Sequence, residues 1–387
     1  MPKRLMQMTI LSGLAAVTIA LVFSLNERLA GVGDDPELND AAPVSGVTFP
    51  NVTTERLVPH GGIVASGRGG DAALTAAVSL LKQQDFAGAL GLAEPLAEQG
   101  DATAQHIAGY IYEHGLVGER DLGRAESFYQ RAAAAGLVDG EYSYALMLIN
   151  PERQEELFPG QDEIAEANYQ RAAGYFRKVA AKGDPRGYTQ LSGFYADGLG
   201  VAKDETVALA LIEKAAALNE PQALFLVGMG HLTGIGRDQD YQLAEQNLAS
   251  AVSAGHVEAA YNLALIYRSA VLGAPDLEKA ASIMQAAAEA GYGPALTAMG
   301  LYAHRGEAPG APADWFERAA DAGDRQGAFL FAVALAEGDG REKDPARAEA
   351  IAAQLLASAQ VEPDLRASVA VFLETLKDDA VAPDTTD

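Results

Sequence analysis

YTQLSGFYADGLGVAKDETVALALIEKAAALN, residues Tyr188–Asn219, decides the fold. Two apolar patterns lie in it, one carried by Leu191, Phe194 and Tyr195, the other by Ala208, Leu211, Ile212, Ala215 and Ala216. Both have the three-and-four spacing of a helix with one buried face. Gly198 sits where the first helix must end, because glycine takes the left-handed cap without steric cost. Asp204 precedes the second helix, where its carboxylate accepts free backbone N–H groups. Asn219 closes the unit. The segment therefore reads as helix, Gly loop, Asp cap, helix, stop.

Working outward, the stop recurs at Gly100, Gly136, Gly183, Asn219, Gly255, Gly291 and Gly323, in steps of 36, 47, 36, 36, 36 and 32 residues. A period of this length marks a stack of small helical units rather than one globular enzyme domain. Counted from each stop, position 4 is always Ala or Gly, from Ala104 through Gly140 and Gly187 to Gly327. Position 9 is also always small, from Gly109 and Ala145 to Gly300 and Ala332. Small residues five apart on one helix allow a neighbour to approach closely. Position 15 is Gly at Gly115, Gly198, Gly234, Gly306 and Gly338, and position 21 is Asp at Asp121, Asp204, Asp240, Asp276 and Asp344. Counted backwards from Gly183, Asn168 takes the cap place in the lengthened second unit. Position 25 is Ala in every unit but the shortened sixth. Asp85 and Ala89 continue the register upstream, so 71–99 reads as a degenerate first helix pair. Leu365–Leu376 reads as a closing amphipathic helix.

The pattern in Tyr188–Asn219, repeated in His106–Gly136 (HIAGYIYEHGLVGERDLGRAESFYQRAAAAG), resembles the Sel-1-like repeat, a relative of the tetratricopeptide repeat. The resemblance covers about 100–360. It implies an all-α fold: a right-handed α/α superhelix, or solenoid, of about seven Sel-1-like helix pairs with N- and C-terminal capping helices. It also implies a protein-binding adaptor of the kind common in bacterial envelope and signalling assemblies, and no particular partner. The 11-residue insertion in the second unit, Ala270 in place of a position-15 Gly and the short sixth unit depart from the pattern.

The domain order expected is a signal anchor or signal peptide over 1–25, a Gly/Pro-rich linker over 26–70, the helical array over 71–377 and an acidic tail over 378–387. Lys3 and Arg4 precede an apolar run from Leu5 to Leu25. As a helix that run extends ~30 Å, the thickness of a hydrocarbon core. It reads as a retained anchor, with a cleaved signal peptide as the alternative, since Val22-Phe23-Ser24 is a tolerable cleavage site. The flanking cations place the N-terminus inside and the repeats across the membrane, in the periplasm of a bacterium. Otherwise the protein is soluble and periplasmic.

The 387 residues carry a net charge of −25 and no cysteine. The acidity argues against nucleic acid and anionic lipid, which offer no counterion-release gain to such a surface. It favours a basic partner. The lack of cysteine excludes disulfides, thiol nucleophiles and cysteine-ligated zinc. No serine-hydrolase elbow, zinc-protease helix or EF-hand spacing is present. The glycines around Gly228 and Gly234 occupy repeat positions without a surrounding βαβ pattern, and His106 and His114 lack converging ligands. Neither a catalytic residue, nor a metal ligand, nor a cofactor or small-molecule site is assigned.

Two features remain for binding. Position 6 points away from the face shared by positions 4, 8 and 11, yet it reads His106, Tyr142, Thr189, Phe225, Tyr261, Thr297 and Phe329. Either these form a ladder in a concave groove for a peptide or helix, or they pack one unit on the next. The insertion Asn150–Asn168 (NPERQEELFPGQDEIAEAN), with Phe158 amid six acidic residues, is either a functional edge or a plain loop extension. The function expected is a non-enzymatic scaffold that binds one or more envelope proteins through its concave face, with regulation of a membrane signalling complex as its narrower form. The alternative is an accessory factor or enzyme of periplasmic cell-wall metabolism. Membrane contact is expected through the N-terminal segment only.

Overall fold

The computed structural model describes residues 71–160, 164–358 and 361–381. The expected anchor over 1–25 and linker over 26–70 lie outside the described residues. Among the described residues there are eighteen α-helices and no strand, and no helix is long and apolar enough to cross a membrane. The chain separates into two compact bodies between Gly255 and His256.

In the first body, helices α1 (Asp71–Lys82) and α2 (Phe86–Glu98) form the degenerate pair, followed by α3 (Ala102–Glu113) and α4 (Leu122–Ala134). Next come α5 (Val138–Leu148), the short α6 (Pro151–Leu157) and α7 (Glu166–Ala181). Then follow α8 (Pro185–Asp197), α9 (Glu205–Ala217), α10 (Pro221–Thr233) and α11 (Tyr241–Ser253). The second body holds α12 (Val257–Arg268), α13 (Leu277–Glu289), α14 (Gly293–His304), α15 (Pro312–Asp321), α16 (Arg325–Glu337), α17 (Pro345–Ala357) and α18 (Pro363–Val381). In each body successive helices pack on one another, except that α5 packs directly on α7 and the short α6 lies on α4, so consecutive pairs stack.

The local signals act as their chemistry dictates. All seven unit-ending residues have positive φ, from 57° at Asn219 to 95° at Gly100. The carboxylates of Asp85, Asp121, Asp204, Asp240, Asp276 and Asp344 each accept a backbone N–H of the following helix at 2.8–3.0 Å. Each such cap stabilises its helix by about 1 kcal/mol. Asn168 is an exception and a correction. Helix α7 begins at Glu166 with Ala165 at its cap, so Asn168 lies inside the first turn. Residues preceding it, Glu166 and Ala167, are good helix formers and carry the helix past the place the period assigns to a cap. At the other end α18 runs through Val381, beyond the predicted boundary at 377.

The small positions are small because neighbours fill their space. A Cβ on Gly109 would lie 2.7 Å from the Tyr129 ring, and one on Gly140 would lie 2.6 Å from the Ala132 Cβ. Position 9 thus meets the second helix of its own pair, and position 4 meets the second helix of the pair before. The position-25 alanines, Ala125, Ala172, Ala208, Ala244, Ala280 and Ala348, are all buried.

Candidate protein-binding surface

The position-6 residues do not form an open ladder. His106, Phe225 and Tyr261 are 8%, 2% and 6% exposed, as buried as the core around them, while Tyr142 and Phe329 are half-buried. Most of these side chains key one pair to the next. The reason is geometric: the second helix of one pair packs on the first helix of the next, and first helices also meet at α3 on α5 and α14 on α16, which places position 6 at the seam rather than in solvent.

The seams are built in several ways. His106 Nε2 and Ser143 Oγ share a hydrogen bond of 3.0 Å, and the imidazole lies 5.6 Å from the Tyr129 ring. Burial holds the imidazole down at about 4, against a raising influence from Asp139 and with a lowering one from Arg186. Its Nδ1 has no partner among the described residues. The Tyr142 ring packs edge-on to Phe176 at 5.8 Å, and the Arg186 guanidinium sits over it at 4.6 Å. Arg186 is clamped in turn by Asp139 at 2.6 Å and Asp184 at 2.6 Å, and Gln190 donates to the Tyr142 hydroxyl at 3.2 Å. Thr189 donates to Glu220 at 2.8 Å, and Glu220 also caps α10 through Ala223.

The second body repeats these solutions with different residues. Tyr261 lies against Tyr292 with ring centroids 5.6 Å apart. Thr297 donates to Asp324, the cap of α16, as Thr189 does to Glu220. Phe329 meets Phe372 of α18 edge-on at 5.7 Å. Burial pushes the Tyr261 hydroxyl up, with Tyr302 and Asp324 adding to it. Burial likewise raises Tyr292, reinforced by Glu258, Tyr261 and Asp324.

The described part of the insertion is ordered by specific contacts. Asn150 caps α6 through the N–H of Glu152, and α6 packs on α4. Arg153, only 4% exposed, bonds Glu126 of α4 through two nitrogens and lies 5.0 Å from the Phe158 ring. Arg120 bridges Glu152 and Glu156 at 2.5 and 3.4 Å. Phe158, at 37% exposure, is the one predicted site residue that offers a large apolar surface to solvent.

His106 and His114 share no environment: His106 is buried at its seam, while His114 is exposed and stacked on Tyr110 at 4.2 Å. Among the described residues no group of three or more His, Cys, Asp or Glu is placed to hold a metal ion. The residues missed from sequence include partners of position 6, among them Asp139, Arg186, Glu220, Tyr292 and Asp324. All of them stand at positions 1 and 3 of their units, columns that carry this signal in the sequence.

A family model described as Sel1 repeat matches residues 102–137, 155–184, 185–220, 221–256, 257–292, 313–324 and 328–352. DAP3-binding cell death enhancer 1 of Rattus norvegicus is 30% identical over 230 residues, covering 50% of this chain and 45% of that protein. The Mus musculus protein of the same name is 30% identical over 232 residues, covering 50% and 46%. The chain thus spans about half the length of the curated relatives it matches. Among solved structures, c5321, a protective antigen of uropathogenic Escherichia coli with an SLR fold, superposes with a TM-score of 0.51 at 22% identity. That match covers 86% of this chain and 72% of the other, and it speaks for the fold.

Proposed function

The chain belongs to the Sel1 repeat family, and from that premise we propose that it is a non-enzymatic scaffold of the bacterial cell envelope, holding a partner protein on the surface of its helix pairs. Sel1 repeats are in general protein–protein interaction modules. The observation that carries the reading is the pairing itself. Each pair spends its small and aromatic residues on its neighbours and offers a ligand an extended helical face, which suits another polypeptide rather than a small substrate. The net charge of −25 favours a partner with a basic surface. The apolar run Leu5–Leu25 behind Lys3 and Arg4 supports an inner-membrane tether with the repeats in the periplasm, near membrane signalling proteins.

A reporter that is active only in the periplasm, fused after Asp387, tests the sidedness. Signal from that fusion is expected, and signal only from a cytoplasm-active reporter would overturn the topology. Affinity capture from membranes, followed by mass spectrometry, is expected to recover a stoichiometric envelope protein. Recovery of none, together with activity of the purified chain on wall fragments, would replace the scaffold with an enzyme of wall metabolism.

A further inference from the structure

One exposed stripe of the first body carries no charge. On α11 the exposed residues Leu243, Gln246, Ser250 and Ser253 follow one another at intervals of three, four and three, so they share one side of the helix. The same places on α4, α7, α9, α13 and α17 each hold at least one lysine or arginine, among them Arg124, Lys178 and Lys214.

Elsewhere such cations cover the end of the second helix before them. Arg131 Nη2 donates to the Ala97 carbonyl at 2.6 Å, and Lys182 Nζ donates to the Gly136 carbonyl at 2.9 Å. On α11 the corresponding residues are Ser250 and Ala254. There an open groove of about 420 Å³ remains, lined by Ala249, Ser250, Ser253 and Ala254 and, from the end of α9, Asn219. Its hydroxyls are already bonded: Ser250 donates to the Gln246 carbonyl at 2.8 Å and Ser253 to the Ala249 carbonyl at 3.0 Å. Covering them therefore breaks no bond to the protein and leaves no donor stranded.

Apolar side chains stand at both ends of the stripe. Leu218, next to Asn219 at the groove, is 48% exposed. At the N-terminal end are exposed Leu243 and, in the loop leading into α11, Ile235 at 64%. Leu209 of α9, also exposed, lies against that loop, its Cδ2 3.5 Å from where a Cβ on Gly236 would sit. Two carboxylates of α9, Glu205 and Glu213, are paired with Lys203 and Arg237. One end of α11 thus presents projections and the other a hollow.

We propose that this face binds the same face of a second copy of the chain, the two α11 helices running antiparallel across a two-fold axis between Gln246 and Ser250. Leu243 and Ser253 lie about 15 Å apart along the helix. Antiparallel pairing about their midpoint seats Leu243 of each copy at the groove of the other, so one contact is made twice. Charge selects this occupant. A chain of net charge −25 repels its own copy wherever both present carboxylates, and a neutral face lets two copies meet. A basic partner is drawn to the acidic surface instead. One helix per copy makes a contact below the standard interface of about 1,600 Å², so the dimer forms at micromolar chain concentration. The inference stands apart from the scaffold reading.

Sedimentation velocity of the full chain in detergent is expected to show a monomer–dimer equilibrium at that concentration. Ser250→Arg fills the groove and sets like charges together across the axis, and should raise the dissociation constant about a hundredfold. Leu243→Ala should raise it about tenfold. Ser127→Arg, on the exposed side of α4, should leave it unchanged. Helical melts within a few degrees of one another would show that each loss belongs to the face and not to the fold. Because the chain has no cysteine, a mixture of Leu243→Cys and Ser253→Cys chains reads the direction of pairing. Disulfides should join one variant to the other and neither to itself. A wild type that remains monomeric would overturn the proposal, as would a dimer that Ser250→Arg leaves intact or cross-linking of each variant to itself. A monomeric chain that loses an envelope protein in membrane capture on Ser250→Arg would assign the groove to that protein, overturning the dimer and upholding the scaffold.

Discussion

Arg153 and Glu126 form a two-point ion pair across 27 residues of sequence, with Nε donating to one carboxylate oxygen at 2.9 Å and Nη2 to the other at 2.6 Å. The side chains are 5% and 20% exposed, so the pair is largely withdrawn from water. It pins α6, the helix made by the insertion, to the second helix of the preceding pair. Removing one partner strands the other, which costs more than removing both. Arg153→Ala should therefore lose about 2–3 kcal/mol in urea unfolding. The double variant Arg153→Met/Glu126→Leu should lose less than either single change. Equal losses in all three would show that the charges contribute nothing beyond packing.

Gly300 and Gly174 separate two uses of the same residue. A Cβ at Gly300 would overlap the Phe316 ring, whereas one at Gly174 meets no atom within 4 Å. Gly300→Ala should destabilise by about 1–3 kcal/mol through overpacking. Gly174→Ala, inside α7, should stabilise by about 0.5–1 kcal/mol because alanine loses less backbone entropy in a helix. Thermal melts of the two variants should move in opposite directions.

Asn219 ends its unit at φ 57°, where the other six stops are glycine. Asn219→Gly should leave the melting temperature nearly unchanged. Asn219→Ala should cost about 1–2 kcal/mol, because a Cβ is strained in the left-handed region. The same loss from both substitutions would point to a side-chain bond rather than to backbone geometry.

His106 makes stability depend on pH. Its imidazole is held at about 4 in the native state by burial, against an unfolded value of 6.5. The unfolded chain then binds the proton more readily, so native stability is complete above 6.5 and falls as pH drops from 6.5 through 4. The penalty approaches roughly 3 kcal/mol at the acid end. His106→Gln, which retains a donor for Ser143, should flatten the slope between pH 6.5 and 5, before most carboxylates titrate. Parallel pH profiles for variant and wild type would refute the assignment.

What the sequence made legible divides by distance along the chain. The capping aspartates, the positive-φ stops and the buried alanines act within one helix or one turn, and the repeat displays each of them six or seven times. Asp85 was readable for the same reason. Asn168 was misread because the insertion breaks the count and helix propensity decides the start of α7. The role of position 6 depends on how one pair leans on the next, and periodicity within a unit is silent about that. Arg153 and Glu126 belong to different units and recur nowhere else, so no column reveals them. Arg186 and Asp139 share position 3 of successive units, a column with no period-wide residue to mark it.

Two seams in this chain are closed by a threonine on a capping carboxylate, Thr189 on Glu220 and Thr297 on Asp324. Others use an imidazole, a tyrosine under an arginine, a tyrosine pair or a phenylalanine pair. Near-identical units invite a folding chain to dock one unit out of step, because helix-on-helix packing alone hardly distinguishes neighbours. Here a slipped pairing brings Arg186 against threonine, or strands Asp139 without a cation, and pays in desolvated charge. The assorted seams thus number the units, and they let the chain count itself into order.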